Sequence, residues 1–137
     1  MSFSIPLIRD ALKARIDTID SLEVYDTMPT EVSVPAAIVY PSPGTFLTYQ
    51  TMDGAADLEF VVIVLVSAGV DDLAQDELDG YLAEAGADSV KAAIGADPRL
   101  GNTVDYASVG SAQNYGLHEF GAVQYFGCEF VVSVGVS

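Results

Sequence analysis

The chain has 137 residues, of which 50% are hydrophobic, and it carries a formal net charge of −15 at pH 7. This length fits a single domain over residues 1–137, and so many apolar residues exclude wholesale disorder. The charge exceeds the ~2–8 units that keep a small domain soluble. With only five basic residues, the chain is poorly suited to gripping nucleic acid, which depends on Lys and Arg neutralising phosphates.

Signals for secretion, disulfide bonding and membrane spanning are not found in the sequence. Cys128 is the single cysteine, so no intramolecular disulfide can form, which suits a reducing compartment. The first residues lack the basic and apolar regions of a signal peptide. The longest apolar run, residues 60–66, is far shorter than the ~20 residues that a membrane helix needs. We therefore expect synthesis in the cytoplasm and no membrane partner.

The first third of the chain predicts one helix and two strands. Ser4 and Pro6 mark the helix start, because proline costs nothing in a first turn. A short strand is expected within residues 22–28. A second regular strand is expected after Pro35, where apolar residues alternate as far as Tyr40. Apolar residues at helical spacing form the expected buried helix face: Ile5, Ile8, Leu12, Ile16 and Ile19.

A β-hairpin is predicted around Asp53 and Gly54, because this dipeptide favours a two-residue turn. Folding about that turn pairs Tyr49 with Leu58, and both arms then agree on one amphipathic register. Beyond residue 60 the alternation disappears, which is typical of a strand buried on both faces. The segment is either an ordinary central strand or part of a long hairpin whose base is buried in the core and whose turn projects from the protein.

A second helix with an acidic face is predicted after residue 70, where Asp72, Asp76 and Asp79 recur one turn apart. A calcium loop needs alternating oxygen ligands with a glycine and a final glutamate at set positions, so a solvated face is preferred over a metal site. A short third helix over residues 90–94 follows. Two strands then end the chain, with residues 111–121 expected as a long loop between them.

The resulting element order is α-β-β-β-α-α-β-β. It predicts an α+β fold with a mixed, mainly antiparallel sheet, helices packed on one face and a projecting β-hairpin. The sheet face away from the helices is expected to meet other strands or a second subunit, because a large exposed apolar patch marks an interface.

Sequence motifs for catalysis or cofactor binding are weak or missing. His118 stands beside Glu119, but no Ser or Cys occupies a nucleophile motif, and the alternation around Cys128 points its side chain into the core. No glycine-rich phosphate loop occurs. We expect no catalytic residue, no cofactor, no metal and no enzyme activity.

The whole chain resembles the tail terminator proteins of siphophages, especially those of phages that infect actinobacteria. Four segments carry the resemblance: residues 35–41 (PAAIVYP), 44–54, 57–83 and 101–134. It implies an α+β subunit of a virion ring, typically a hexamer, that caps the finished tail tube and gives the head connector its docking surface. The implied partners are further copies of the chain, the major tail tube protein and the head–tail connector.

The resemblance carries no active-site motif, so the candidate site residues are contact residues. The hairpin tip and the 111–121 segment are the candidate contacts with subunits, tube or connector: Tyr49, Met52, Asp53, Asp57, Tyr115, Leu117 and His118. The candidate lining of the ring's bore is Asp72, Asp76 and Asp79. Because carboxylates repel phosphates, DNA would pass this lining without specific binding.

Other functions remain open at this point. Within the same class, the chain fits another neck, head–tail joining or tail-completion protein, and a tail-tube protein is a further possibility. From a different class, it fits a small acidic ligand-binding or enzymatic α+β domain. A stable monomer with a deep pocket would favour the latter.

Overall fold

The computed structural model describes residues 4–19, 22–25, 31–43, 46–49, 55–67, 72–83, 85, 86, 88–120 and 122–136, without the side chains of residues 72–75 and 120. Three helices and six strands lie within these residues: α1 (Ile5–Ile16), β1 (Glu23–Tyr25), β2 (Ala36–Pro41), β3 (Leu47–Tyr49), β4 (Ala56–Ser67), α2 (Asp72–Leu82), α3 (Val90–Gly95), β5 (Tyr106–Phe120) and β6 (Val123–Val136). The predicted α+β class is confirmed.

The strands form one mixed sheet in the order β1-β2-β4-β6-β5, and β3 pairs with β4 on the side that β2 occupies. The β1–β2 pair is parallel and the other pairs are antiparallel. The three helices cover one face. Their buried residues share one core with every second residue of β4 and β6, from Ala56 to Val66 and from Cys128 to Val136.

Helix α1 begins where the sequence predicts. Ser4 is the N-cap, its hydroxyl oxygen accepts a hydrogen bond from the Leu7 N–H at 3.4 Å, and Pro6 lies in the first turn. On the last turn, Arg15 Nε donates to the Ala93 carbonyl oxygen at 3.0 Å and so joins α1 to α3. The predicted apolar face is buried at Ile8, Leu12, Ile16 and Ile19.

The central strand β4 is buried on both faces, as its continuous apolar run predicts. Val61 and Leu65 point away from the helices, yet they are only 3% and 1% exposed, and Ile63 between them is half-buried. The neighbouring Ile38 of β2 is also buried. Because the chain itself covers these side chains, the apolar patch expected on this face is not exposed in the described residues. This part of the sheet gives no argument for a second subunit.

The arm that pairs with one side of β4 is interrupted between β2 and β3. Strand β2 ends with Pro41 opposite Phe60, and β3 resumes with Leu47 opposite Leu58. Glu59 lies at the break, where its N–H donates to the Phe46 carbonyl oxygen at 2.8 Å. The ladder along β4 is therefore broken opposite Glu59, whose carbonyl oxygen accepts a hydrogen bond from the Ser42 N–H at 3.0 Å on the β2 side of the break.

The predicted register of this hairpin is wrong by two residues, because Tyr49 lies opposite Ala56 rather than Leu58. A shift of two leaves every side chain on its predicted face, so the alternation of apolar residues could not detect it. The predicted turn, with Met52, Asp53 and Gly54, lies outside the described residues.

The loop expected at residues 111–121 is wrong for the part that is described, because residues 111–120 belong to the long edge strand β5. Two bulges interrupt its pairing with β6, one between Val109 and Ser111 and one between Gln113 and Gly116. Asn114 has a φ of +54° in the second bulge, a conformation that asparagine adopts more readily than most residues. Each bulge inserts an unpaired residue and breaks the period of two, which is why the segment resembles a loop in sequence.

Candidate interaction surfaces

The second bulge of β5 places Tyr115 against helix α2. The Tyr115 hydroxyl donates a hydrogen bond to Asp79 Oδ1 at 2.7 Å, although the two residues are 36 positions apart in sequence. The Tyr115 ring also meets the Phe126 ring edge-on, with centroids 5.2 Å apart. Tyr115 is 42% exposed, so part of its side chain is accessible to solvent. Two predicted sites, the acidic helix face and the 111–121 segment, are therefore in direct contact.

His118 belongs to a polar network that holds the same bulge. Its Nε2–H donates to the Asn114 carbonyl oxygen at 2.7 Å. The Asn114 and Gln113 side-chain amides both donate to Glu129 Oε1, at 3.0 and 3.2 Å. Because a carbonyl oxygen only accepts hydrogen bonds, the His118 hydrogen lies on Nε2. These bonds give His118 a structural role at the bulge.

The single cysteine is a core residue, as the alternation of β6 predicts. The Cys128 side chain is fully buried on the helix side of the sheet. Burial, together with the negative charge of Glu129, raises the pKa of its thiol from 9.0 to about 12. The thiol is therefore protonated at neutral pH, and a protonated thiol is a poor nucleophile.

Charge is divided unequally between the surfaces. On α2, Asp76, Glu77 and Asp79 are exposed, while Leu78 is buried. Asp72 is the first residue of this helix, and its side chain lies outside the described part. By contrast, strands β5 and β6 contain only Glu119 and Glu129 as charged residues. The molecule thus combines an acidic helical surface with a nearly uncharged sheet edge.

The two most exposed large apolar side chains among the described residues lie at opposite edges of the sheet. Tyr49 on β3 is 74% exposed and Leu117 on β5 is 66% exposed. Asp57 is also exposed and lies opposite Thr48 of β3. The predicted contact residues therefore form two separate groups, with Tyr49 and Asp57 at one edge and Tyr115, Leu117 and His118 at the other.

Two clefts were not predicted from the sequence. An open cleft of about 330 Å³ lies at the β3 end of the sheet, lined by Phe46, Thr48, Asp57, Leu58, Glu59, Tyr106 and Ser133. A cleft of about 190 Å³ lies between the helices and the first bulge of β5, lined by Leu82, Lys91, Val109, Gly110, Ser111, Ala112 and Phe130. Each cleft is lined by residues from distant parts of the chain, so no local sequence pattern predicts it.

The described residues form neither a metal-binding group nor a membrane-spanning helix. These residues contain no group of three or more His, Cys, Asp and Glu side chains arranged to hold a metal ion. None of the helices formed by the described residues has the length and apolar character needed to cross a membrane. A comparison of the chain with protein-family models and with curated proteins finds no match.

Proposed function

We propose that the chain is the subunit of a phage tail terminator ring, which caps the tail tube, stops its elongation and offers the head connector a docking surface. The observation that carries the proposal is the presence of exposed apolar side chains at two opposite sheet edges, Tyr49 on β3 and Leu117 on β5. A ring of identical subunits needs two different contact surfaces on each copy. The resemblance of the sequence to tail terminators supplies the identity of the ring.

The charge distribution agrees with this proposal. Asp76, Glu77 and Asp79 expose carboxylates on α2, and carboxylates repel the phosphates of DNA. If α2 faces the bore, the ring offers DNA a path that does not hold it during ejection. Strand β5, whose single Asp, Glu, Lys or Arg residue is Glu119, is then left for contacts with protein.

Electron microscopy of lysates from a phage that lacks this protein tests the proposal. Tails that are abnormally long and stay unjoined to heads are the expected result. Tails of normal length with unattached heads would instead indicate a different neck or tail-completion protein. Normal virions would overturn both assignments.

A second candidate function, small-ligand binding, is favoured by one observation. The cleft of about 330 Å³ beside β3 falls within the ~300–1,000 Å³ range typical of ligand sites. Its lining includes Asp57 and Glu59 with Tyr106 and Phe46, which suits a cationic or amine ligand. Sedimentation analysis separates the two candidates, because a stable monomer that binds such a ligand favours this second function.

A further inference from the structure

We propose that the open cleft beside β3 binds a guanidinium group, which pairs with the carboxylates of Asp57 and Glu59 and stacks on the ring of Tyr106. This is the cleft of about 330 Å³ described above, and we call it the β3 cleft. The inference rests on the second candidate function, because it names the chemical group that the same cleft takes. It does not involve Tyr49 or Leu117, the edge residues that carry the ring proposal.

The β3 cleft is built on a row of paired residues that crosses four strands. Asp57 of β4 pairs with Thr48 of β3 on one side and with Gly135 of β6 on the other. Gly135 in turn pairs with Tyr106 of β5. Paired residues point to the same face of a sheet, and Asp57 alternates with the core residue Leu58, so the row lies on the face away from the helices. This face therefore presents a carboxylate, a hydroxyl group and an aromatic ring side by side.

A second carboxylate lies in the next row of the same face. Glu59 is two residues from Asp57, about 7 Å along the strand, and it pairs with Ser133 of β6. Glu59 is half-buried, and its Oε2 accepts a hydrogen bond from the Ser42 hydroxyl at 2.8 Å. This bond holds the Glu59 carboxylate in place at the cleft, so the two carboxylates lie at a defined spacing on one strand.

The Tyr106 ring forms the wall of the cleft on the β5 side. A Cβ added at Gly135 would overlap Tyr106 Cε1 and lie 2.7 Å from Cζ, so the ring lies directly over this glycine. Because Gly135 separates Tyr106 from Asp57 in the row, the ring extends across β6 towards the carboxylate. Tyr106 is still 47% exposed, which leaves part of the ring accessible to a ligand.

The charge of the cleft selects a cation. Strands β3, β4, β5 and β6 contain no Lys or Arg, and the net charge of −15 adds a general attraction for cations. Asp57 takes part in a further interaction within the chain, and Glu59 accepts the bond from Ser42. An ionised carboxylate has about four acceptor positions, so each of them can accept further hydrogen bonds from a ligand.

Two carboxylates beside an aromatic ring favour a guanidinium over an ammonium group. A guanidinium is planar and carries five N–H donors in a fixed fork, so it can pair with two carboxylates while its face stacks on an aromatic ring. An ammonium is a compact point charge that gains less from the ring and from the second carboxylate. The volume of about 330 Å³ leaves room for the rest of a small molecule or for the side chain that carries the group.

An NMR titration of the isotope-labelled chain with ethylguanidinium tests the proposal, and propylammonium is the matched probe of equal charge. We expect ethylguanidinium to shift the amide signals of Thr48, Asp57 and Gly135 and to bind roughly fivefold more tightly than propylammonium. Equal affinities would overturn the guanidinium assignment and leave the second candidate function standing. Absence of any shift with either probe would overturn both, while the ring function would be unaffected.

Variants locate the site and separate it from general charge effects. Asp57→Asn and Glu59→Gln keep the side-chain shape, and each should weaken ethylguanidinium binding about tenfold. Tyr106→Leu should weaken it roughly two- to fivefold. Glu119→Gln and Tyr49→Leu remove a charge and an aromatic ring elsewhere and should leave binding unchanged. Equal weakening by Glu119→Gln would show that net charge alone attracts the probe, which would overturn the proposal. The same spectra report whether each variant is folded.

A Gly-Arg-Gly peptide distinguishes the two sources of a guanidinium group. If the peptide binds as tightly as ethylguanidinium, the cleft has room for a main chain, as an arginine side chain of a partner protein requires. If ethylguanidinium binds and the peptide does not, the ligand is a small molecule. Both results support the guanidinium chemistry, and they differ in what supplies it.

Discussion

The Tyr115 hydroxyl donates a hydrogen bond of 2.7 Å to Asp79, so a side chain of the edge strand is joined directly to the acidic helix α2. The bond reaches from a bulge whose shape depends on Asn114 and Glu129. This hydrogen bond fixes the position of the nearly uncharged strand β5 relative to the carboxylates of α2. A change at Tyr115 is therefore expected to affect both the stability of the helix contact and the geometry of the surface.

Replacing Tyr115 with Phe should lower the free energy of unfolding by about 0.5–1.5 kcal/mol, because a hydrogen bond to a carboxylate is lost while the ring is kept. The value lies below the ~1.5–3 kcal/mol usual for a charged partner because both residues are exposed to water. Urea unfolding measures the change. Tyr106→Phe is the matched control, since it removes a hydroxyl from another exposed tyrosine of β5 and should have a smaller effect. Equal losses in both variants would contradict the role of the Asp79 contact.

Replacing Gly127 with Ala should destabilise the protein by about 1–3 kcal/mol, the range for an overpacked core. The added Cβ would overlap the Val64 carbonyl oxygen and lie 2.8 Å from Leu65 Cδ2. The Leu65 side chain can move aside, but the Val64 oxygen belongs to the backbone of the central strand and cannot move without disturbing the sheet. Gly110→Ala is the control, since its Cβ would meet nothing within 4 Å. Urea midpoints that shift equally in the two variants would show that the close approach at Gly127 is unimportant.

The stability that Cys128 contributes should decrease as the pH rises above 9. Its folded-state pKa is raised from 9.0 to about 12, so between these values the unfolded chain loses the thiol proton while the folded chain keeps it. Fewer protons bound in the unfolded state mean that stability falls with pH. Unfolding free energies of the wild type and Cys128→Ala, measured at pH 8 and pH 10.5, should differ by less at the higher pH. A constant difference would contradict this explanation.

Replacing Asp76 with Asn should raise the free energy of unfolding by about 0.2–0.5 kcal/mol at low salt. Asp76 and Asp79 lie one helical turn apart, and like charges at this spacing repel each other. Added salt screens exposed charges, so the gain should shrink as the salt concentration rises. Thermal unfolding at two salt concentrations measures the effect. A gain that is independent of salt would indicate a cause other than repulsion.

Asp76 and Asp79 also belong to the proposed lining of the bore. Converting both Asp76 and Asp79 to Lys should slow DNA ejection from assembled particles, because cations hold phosphates by releasing counterions. Glu31→Lys and Asp105→Lys are a control that changes the net charge equally at exposed positions outside α2. If both pairs of substitutions slow ejection equally, the cause is the overall charge of the protein rather than the position of the charges on α2.

Much of the fold follows from local sequence features. Ser4 and Pro6 define the start of α1, and Pro35 delays the regular part of β2 to Ala36. The apolar run of residues 60–66 predicts a strand buried on both faces. These predictions succeed because capping, proline geometry and strand burial each depend on residues within a few positions of the feature that is predicted.

The errors come from features that local patterns do not record. A register shift of two residues in the β3–β4 pair leaves the alternation unchanged. The bulges at Gly110 and Asn114 break the alternation of β5 and make a strand resemble a loop. Tyr115 and Asp79 were both singled out as candidates from the sequence, but their contact depends on the packing of α2 against the sheet. The cleft of about 190 Å³ between the helices and the first bulge of β5 depends on the same packing, so it could not be predicted either.

The uneven distribution of charge has a consequence for how copies of the chain meet. Two molecules of charge −15 repel each other in most orientations, and the repulsion is weakest where strand β5 lies between them. Repulsion between the carboxylates therefore disfavours most relative orientations of two copies before their side chains come into contact. Raising the ionic strength screens this repulsion in every orientation. The protein should then associate faster in concentrated salt, but with a larger share of disordered aggregates.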